Sequence, residues 1–558
     1  MFLPLNVESA KELFTLNIFL GFIITGFLNG LLMIAISYKF LQVLQQCGYN
    51  GREYLKWLVR KDNSSFNGLL MLSLLSVLGF VLINTSLSFI NKFWVDYTGF
   101  LVYLLFLIVF FVSEFKRKEK LPLVITKRMV RLIITFVLVT VIFSTLLIMG
   151  VNLVCIPFKE YLITHFRYGV ICLCPIFVPY ILLLAYYINQ PLEMAIISKY
   201  VKKCKQKLQK SQNLIKIAIT GSYGKTSVKE ILKVILSKKY KVMATPLSYN
   251  TPLGISKTVK RLDGTEDVLI AEMGARRVGD IKKLTEIVNP NVAVITGVTA
   301  QHLETFKKLE NVKKTKYELI ENMNGGKAVF SSDNKATYEM FRMCDKSAVL
   351  AGLNTKGKPR VYATDVKSTS KGTNFTLHVG GESVEVSTKL LGKHNVSNIC
   401  LAVAVADILG LTIGEIASAI CNINPIKHRL EIIESENGLT ILDDSYNSNP
   451  EGVKCALDVL SEFSGNKFVV TPGIVELGVV ENEENFKFGK LLAKVANGVI
   501  LVGRARTLKI REGLLSEGYS TDKIYMVSSL EDAKRKLTEI YESGDVVLFE
   551  NDLPDKYL

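Results

Sequence analysis

The chemistry available to this chain is concentrated in a glycine loop and in a few acidic, basic and imidazole side chains downstream of it. Gly221-Ser-Tyr-Gly-Lys-Thr-Ser227 has the pattern GxxGK[ST], two residues shorter than the commonest phosphate-binding spacing. Gly221 and Gly224 let backbone N–H groups approach phosphate oxygens, Lys225 offsets the charge of the β- and γ-phosphates, and Thr226 presents a hydroxyl to Mg²⁺. Ser222 and Ser227 complete a cradle whose expected ligand is ATP with Mg²⁺. Glu272 closes the apolar run DVLIAE, and His302 follows the run NVAVIT.

These groups need elements to hold them. The run LIKIAIT before the loop is rich in β-branched residues and reads as a strand, and VKEILKVILSKKY after it reads as a helix. DVLIAEMGA is expected to be a buried strand that delivers Glu272 at its carboxyl end, where open parallel sheets bind ligands. NVAVITGVTAQHLETF supplies a second strand, expected to place His302 at its end in register with Glu272. Farther on, LTIL precedes a polar turn from Asp443 to Pro450. The strands KFVVT, GVILVG and DVVLFE, separated by helical patterns, describe a Rossmann-like α/β domain. Gly473 and Glu476 to Gly478 fall just past one of its strand ends.

The N-terminal third is different. Five apolar stretches, at about 13 to 36, 67 to 90, 94 to 113, 131 to 157 and 168 to 188, are each long enough for a bilayer, which takes about 20 residues. Positive residues gather in alternate connections, with Lys39, Arg52, Lys56, Arg60 and Lys61 in one and Lys116, Arg117, Lys118, Lys120, Lys127 and Arg128 in another. By the positive-inside rule the N-terminus lies outside and everything after residue 189 is cytoplasmic, on the side that holds ATP. A net charge of +17 is accounted for by these flanks, so no nucleic-acid partner is expected. The lysine-rich segment 199 to 210 reads equally as a juxtamembrane stretch able to meet anionic lipid or as a solvated helix face. Nine scattered cysteines predict neither a disulfide framework nor a zinc site.

From about residue 210 to 550 the ordered motifs resemble the Mur ligase family, most closely the branch that joins D-alanyl-D-alanine to UDP-N-acetylmuramoyl-tripeptide. ITGSYGKTSVKE, the asparagine loop at Asn250 to Gly254, QHLE, GKAVFSSDN, LGKHNVSNICLAVAVA and HRLE with DDSYNSNP carry the likeness. The resemblance implies that Glu272 binds Mg²⁺ and that His302 lies at a second metal. It implies that Lys316 is carbamylated, that Asn334, His394, Asn395 and Asn398 lie near the nucleotide, and that Arg429 and Asp444 reach ATP from the C-terminal domain. Lys225, Lys316 and His302 are the catalytic candidates, and Thr226, Glu272 and His302 the metal candidates. The implied reaction joins a carboxylate-bearing envelope precursor to an amino acid or dipeptide through an acyl phosphate.

This sequence also departs from the family. The soluble domain that grips UDP is replaced by the apolar segments, Arg276-Arg277 stand where an Asn-His pair is usual, and Asn485 replaces a histidine. Glu550-Asn-Asp replaces a lysine-glycine-serine patch. Three readings therefore stand: a membrane-anchored amide ligase acting on a muramoyl peptide or on a lipid-linked or polymeric glycan, an anchored D-alanyl-D-alanine-adding enzyme, and a P-loop ATPase driving a membrane process. The expected domains are a transmembrane region 1 to 190 of about five helices, a basic linker 191 to 212, an α/β central ATP-binding domain 213 to 426, and an α/β C-terminal domain 427 to 558.

Overall fold

The computed structural model describes residues 16–60, 63–87, 92–116, 122–155, 160–435, 437–446 and 448–551. The chain divides into two compact units, 1–196 with 553–558, and 197–552.

In the first unit long helices run over Leu16–Gln46, Ser64–Leu87, Lys92–Lys116 and Lys127–Cys155, and another begins at Glu160. Among the described residues four helical segments, Gly26–Gln46, Ser65–Leu82, Lys127–Val151 and Cys172–Lys210, are long and apolar enough to cross a membrane. The stretch expected at 94 to 113 is described as an apolar helix over Tyr103–Glu114; the side chains of 92 to 100 lie outside the described residues. Ile134, Leu138, Ile142 and Leu146, spaced four apart on one helix face, are each more than half exposed. A water-facing stripe at that spacing is ordinarily polar. The interior carries a polar pair instead, with Asn29 Nδ2 donating to Ser144 Oγ at 2.8 Å, and a half-buried Arg131 pairs with Glu193 at 2.6 Å.

The expected linker at 191 to 212 is helical as far as Lys210, the end of a 51-residue helix from Glu160 that contains Pro175, Pro179 and Pro191. Its last turns belong to the second unit, where Cys204 and Leu208 pack with Ile255, Val259 and Leu262. The Lys207 ammonium donates to the carbonyls of Lys260 and Leu262, so part of the charge read as lipid-facing is spent on the protein.

The second unit contains two sheets. The first has nine strands: β1 (Ile215–Thr220), β2 (Val242–Ala244), β3 (Val268–Glu272), β4 (Val292–Ile295), β5 (Lys327–Ser331), β6 (Ser347–Gly352), β7 (Val361–Thr369), β8 (Gly372–Val379) and β9 (Glu382–Thr388). Their order is β2-β3-β1-β4-β5-β6-β7-β8-β9, parallel as far as β7 and antiparallel across β8 and β9. Alternate residues of one strand feed two cores, because strand side chains point to opposite faces. Ile217 and Ile219 join Val228, Ile231 and the helix Lys393–Ile408 on one face, while Ala218 joins Ile255, Leu284 and Leu319 on the other.

The second sheet runs β10 (Glu431–Glu434), β11 (Thr440–Asp444), β15 (Val546–Glu550), β12 (Lys467–Thr471), β13 (Gly498–Val502) and β14 (Ile524–Val527). Only its β10–β11 pair is antiparallel. Two largely parallel sheets covered by helices give the α/β character expected of both domains and the Rossmann-like one expected of the second.

Candidate functional site

The glycine loop leaves the carboxyl end of β1, which lies between β3 and β4. Two of its positions must be glycine. Gly224 has φ +76, and a Cβ there would stand 2.7 Å from the Asn398 amide oxygen; at Gly221, φ +155, a Cβ would meet the Thr296 hydroxyl. The helix Lys225–Leu236 starts directly after Gly224, so its N-terminal N–H groups and their dipole point into the loop.

Parallel pairing sets Ile219 opposite Glu272 and so brings that carboxylate to the loop. Thr226 Oγ1 donates to Glu272 Oε2 at 3.0 Å, and Asn250 Nδ2 donates to Glu272 Oε1 at 3.1 Å. The fully buried Lys229 ammonium lies 3.4 Å from Glu272 Oε2 and donates to the Leu247 carbonyl at 2.6 Å. Lys229, which also lies 3.2 Å from Glu230 Oε1, is thus the ion-pair partner of a carboxylate that is itself 1% exposed. The Thr226 hydroxyl and the Glu272 carboxylate are hard oxygen donors close together, which suits Mg²⁺.

Lys225 donates to the carbonyls of Gly221 at 2.7 Å and Ser222 at 3.3 Å. Burial drives its ammonium down to about 8, with Glu272 opposing the shift and Arg429 adding to it. Lys316, on the helix Leu309–Glu321, is 2% exposed. Burial, then the positive charge of Lys225, pushes it down to about 7, against the pull of Asp280 and Glu318.

His302 differs from its expected position. The β4 strand ends at Ile295, and His302 follows a six-residue loop, with left-handed backbone (φ +52) at the start of the helix Leu303–Phe306. It is thus a loop residue, and β4 is separated from β3 by β1. The loop returns His302 to the cavity, where Nδ1 hydrogen-bonds Glu476 Oε2. Arg276 lies 3.6 Å from the other Glu476 oxygen. Burial lowers the His302 pKa, with Glu476 opposing; Nδ1 is taken up by Glu476, which leaves Nε2 as the nitrogen suited to a metal.

Glu476 comes from the second sheet's domain, just past β12, on a loop that Asn485 braces. The Asn485 amide accepts from Ile474 N and donates to Ile474 O, each at 2.9 Å, and Asn551 Nδ2 donates to Gly473 O at 2.7 Å. Asn485 is the residue that departs from the family histidine, and its work here is to hold the loop.

Two cavities flank the glycine loop. One, of about 450 Å³, is lined by Lys225, Thr226, Glu272, His302, Lys316 and Arg276 among others. The second, of about 510 Å³, is lined by Gly224, His394, Asn395, Asn398, Asp333 and Asp444, and Arg429 borders both. Ser222 and Ser227 line the first cavity, and Ser227 also reaches the second. The first gathers charge for phosphates and metal; the second has the amides and carboxylates that suit a nucleoside. Asn334 borders neither. It caps the helix Lys335–Met343 through Thr337 N and donates to Val298 O at 3.0 Å and Tyr223 OH at 3.3 Å, so it supports the loop from behind while its neighbour Asp333 faces the second cavity. Gly221 likewise borders neither and forms the base of the loop. Arg429 stacks over Tyr446 at 4.4 Å.

Asp444 and Glu550 are register partners on β11 and β15. Burial raises the Asp444 carboxyl to about 6, opposed by Arg429. Burial and the Asp444 charge raise Glu550 well above the usual carboxylate range, and Ser448 Oγ donates to it at 2.5 Å. Sequence reasoning did not select Lys229, Asn250, Asp333 or Glu550 as site residues. Asn250 had a signal in its motif; the others became visible through burial and pairing.

Comparison with known proteins follows the same lines. Residues 219–406 match the Mur ligase middle domain and residues 428–550 the Mur ligase glutamate ligase domain. A UDP-N-acetylmuramoyl-tripeptide–D-alanyl-D-alanine ligase of Mycobacterium bovis is 31% identical over 54% of this chain and 61% of its own length. The Escherichia coli protein of that name is 32% identical over 52% of this chain and 64% of its own. The chain thus spans less than two thirds of these relatives. Among solved structures, MurF from Acinetobacter baumannii aligns with a TM-score of 0.59 and 26% identity over 64% of this chain and 77% of that one. MurF ligase from Thermotoga maritima, in complex with ADP, gives 0.58 and 27% over 64% and 80%.

Proposed function

Because its two α/β domains place this chain in the Mur ligase family, we propose that it is a membrane-anchored, ATP-dependent amide ligase of cell-envelope assembly. The observation that carries this reading is the convergence of Lys225, Thr226, Glu272, His302 and Lys316 on one cavity beside the glycine loop. Thr226 and Glu272 would hold Mg²⁺, and His302 a second ion. The metal supplies charge neutralisation at the phosphates.

In the proposed reaction a substrate carboxylate oxygen attacks the γ-phosphorus, the bond to the β-phosphate oxygen breaks, and ADP leaves. An amine nitrogen then attacks the acyl carbon, the acyl–oxygen bond breaks, and phosphate departs, while the amine's excess proton passes to phosphate or solvent. Lys225 stabilises charge on the transferring phosphoryl group, and the helix N-terminus after Gly224 holds the phosphates in place. Asn395, Asn398 and Asp444 orient the nucleoside from the second cavity, and Arg429 spans the two. No cysteine lines the first cavity, and the mechanism needs no covalent enzyme nucleophile.

Membrane attachment is supported by the long apolar helices of residues 16 to 210 and by their exposed apolar stripes. A contiguous apolar exterior on that scale is costly in water. With the topology read from the positive connections, the ligase domains are cytoplasmic.

ADP release is the direct test, measured with the full chain in nanodiscs, a muramoyl tripeptide as carboxylate and D-alanyl-D-alanine as amine. Release that requires both partners, yields an amide product by mass spectrometry and falls by about 10²-fold or more in Lys225→Ala is the expected result. Hydrolysis indifferent to carboxylate and amine would overturn it in favour of a P-loop ATPase.

A further inference from the structure

We propose that the carboxylate substrate reaches the first cavity on a lipid carrier, as an acceptor bearing a diphosphate next to an apolar chain; this rests on the ligase and membrane readings above. The inference comes from the rim of that cavity. Leu247 and Tyr249 flank the cavity-lining Ser248 and are exposed, Leu247 by 77%. Val278 is exposed two residues beyond the cavity-lining Arg276. Val479, 95% exposed, follows Gly478, which abuts Leu303 and Glu304 beside His302. The remaining exposed large apolar side chains among the described residues of this unit are Tyr200, Leu309, Met343, Ile433, Tyr446 and Leu508, and Tyr446 itself lines the cavity.

Leu247 is held outward by structure. Its backbone is left-handed, φ +46, a conformation uncommon for a branched residue, and its carbonyl is tied to the buried Lys229 ammonium. The apolar side chain is therefore presented to the outside by a fixed loop.

Cations are interleaved with these apolar groups. Arg276, Arg277, Lys282 and Lys283 are exposed on one short segment around Val278. Its turn is fixed by Asp280, which accepts from Arg276 N at 3.0 Å and Arg277 N at 2.9 Å. Arg276 and Lys283 line the cavity. Apolar groups beside exposed cations complement an anionic headgroup carried on an acyl or prenyl chain. A soluble nucleotide sugar shares the diphosphate but has nothing to place on Leu247, Val278 or Val479. The Arg276-Arg277 pair is also a point at which this chain departs from the family pattern.

The experiment uses the full chain in nanodiscs with ATP and D-alanyl-D-alanine, and the same muramoyl tripeptide on two carriers, a polyprenyl diphosphate in the bilayer and UDP in solution. The wild type is expected to ligate the lipid-carried form with at least tenfold higher kcat/KM. The double variant Leu247→Ser/Val479→Ser, altered only at exposed positions, is expected to lose at least tenfold with the lipid-carried form and to stay within twofold with the UDP form. Ligation of the UDP form alone, equal use of both carriers, or equal loss on both in the variant overturns the lipid carrier and leaves the ligase standing. Ligation of neither removes both readings.

Discussion

Lys316 offers the sharpest test of the site's electrostatics. It is buried beside another ammonium, and those two effects hold it at about 7. At pH 7 about half of the population is then neutral amine, against roughly one part in 3,000 for a lysine at 10.5, an advantage of about 10³ in reactive form. If carbon dioxide adds to this nitrogen, as the family resemblance implies, uptake of ¹³C from labelled bicarbonate should titrate with a midpoint near 7. Ligation should slow when carbon dioxide is purged, and Lys316→Met should neither label nor turn over within about 10² of wild type. Lys225→Met removes the second cause of the shift and should move the labelling midpoint upward. A midpoint near 10, or ligation indifferent to bicarbonate, would refute the reasoning.

Other consequences are as direct. Lys229→Met strands the buried Glu272 carboxylate without its cation and should cost about 3–5 kcal/mol, read as a lower unfolding midpoint; Lys229→Met/Glu272→Gln should recover part of it, and strict additivity would show that the pair is not coupled. Burial lowers His394 from 6.5 to about 4, so between those pH values the unfolded chain takes up a proton that the folded one does not. Stability from this group is complete above 6.5 and is lost as pH falls toward 4, by up to about 3 kcal/mol. His394→Gln should flatten that part of the melting-versus-pH curve, and an unchanged slope would count against it. Asn485→Ala leaves the Ile474 N–H and carbonyl buried and unpaired, at about 1–3 kcal/mol, and should raise the KM for the carboxylate substrate by loosening Glu476.

Much of the fold could be read from sequence because the relevant signals are local. The β1 strand, its glycine loop and the following helix depend on adjacent residues, and Glu272 ends an apolar run whose place in a parallel sheet follows from its composition. His302 lies off the strand end because a six-residue loop separates it from β4, and strand patterns carry no information on where such a loop returns. Asn334 and Asp333 are neighbours, and only the cap on the helix Lys335–Met343 decides which one faces the cavity. Lys229 looked like one more lysine in a helix. Its burial is set by Glu272, 43 positions away, and by the Leu247 carbonyl. The helical run to Lys210 continued past Pro191, where sequence marked a linker. The rim of exposed apolar groups left no periodic trace, since Leu247, Val278 and Val479 come from three separate loops.

The bond between His302 and Glu476 joins residues from the two Mur ligase domains. An ion held by the outer nitrogen of that imidazole depends on a ring orientation fixed by the other domain, and thermodynamic reciprocity then applies. Docking of the C-terminal domain would raise the affinity of an ion bound there, and the ion would strengthen docking by the same factor. The two would then behave as ligands of one another, and chelation of such an ion is expected to loosen the contact between the domains as well as to lower catalysis.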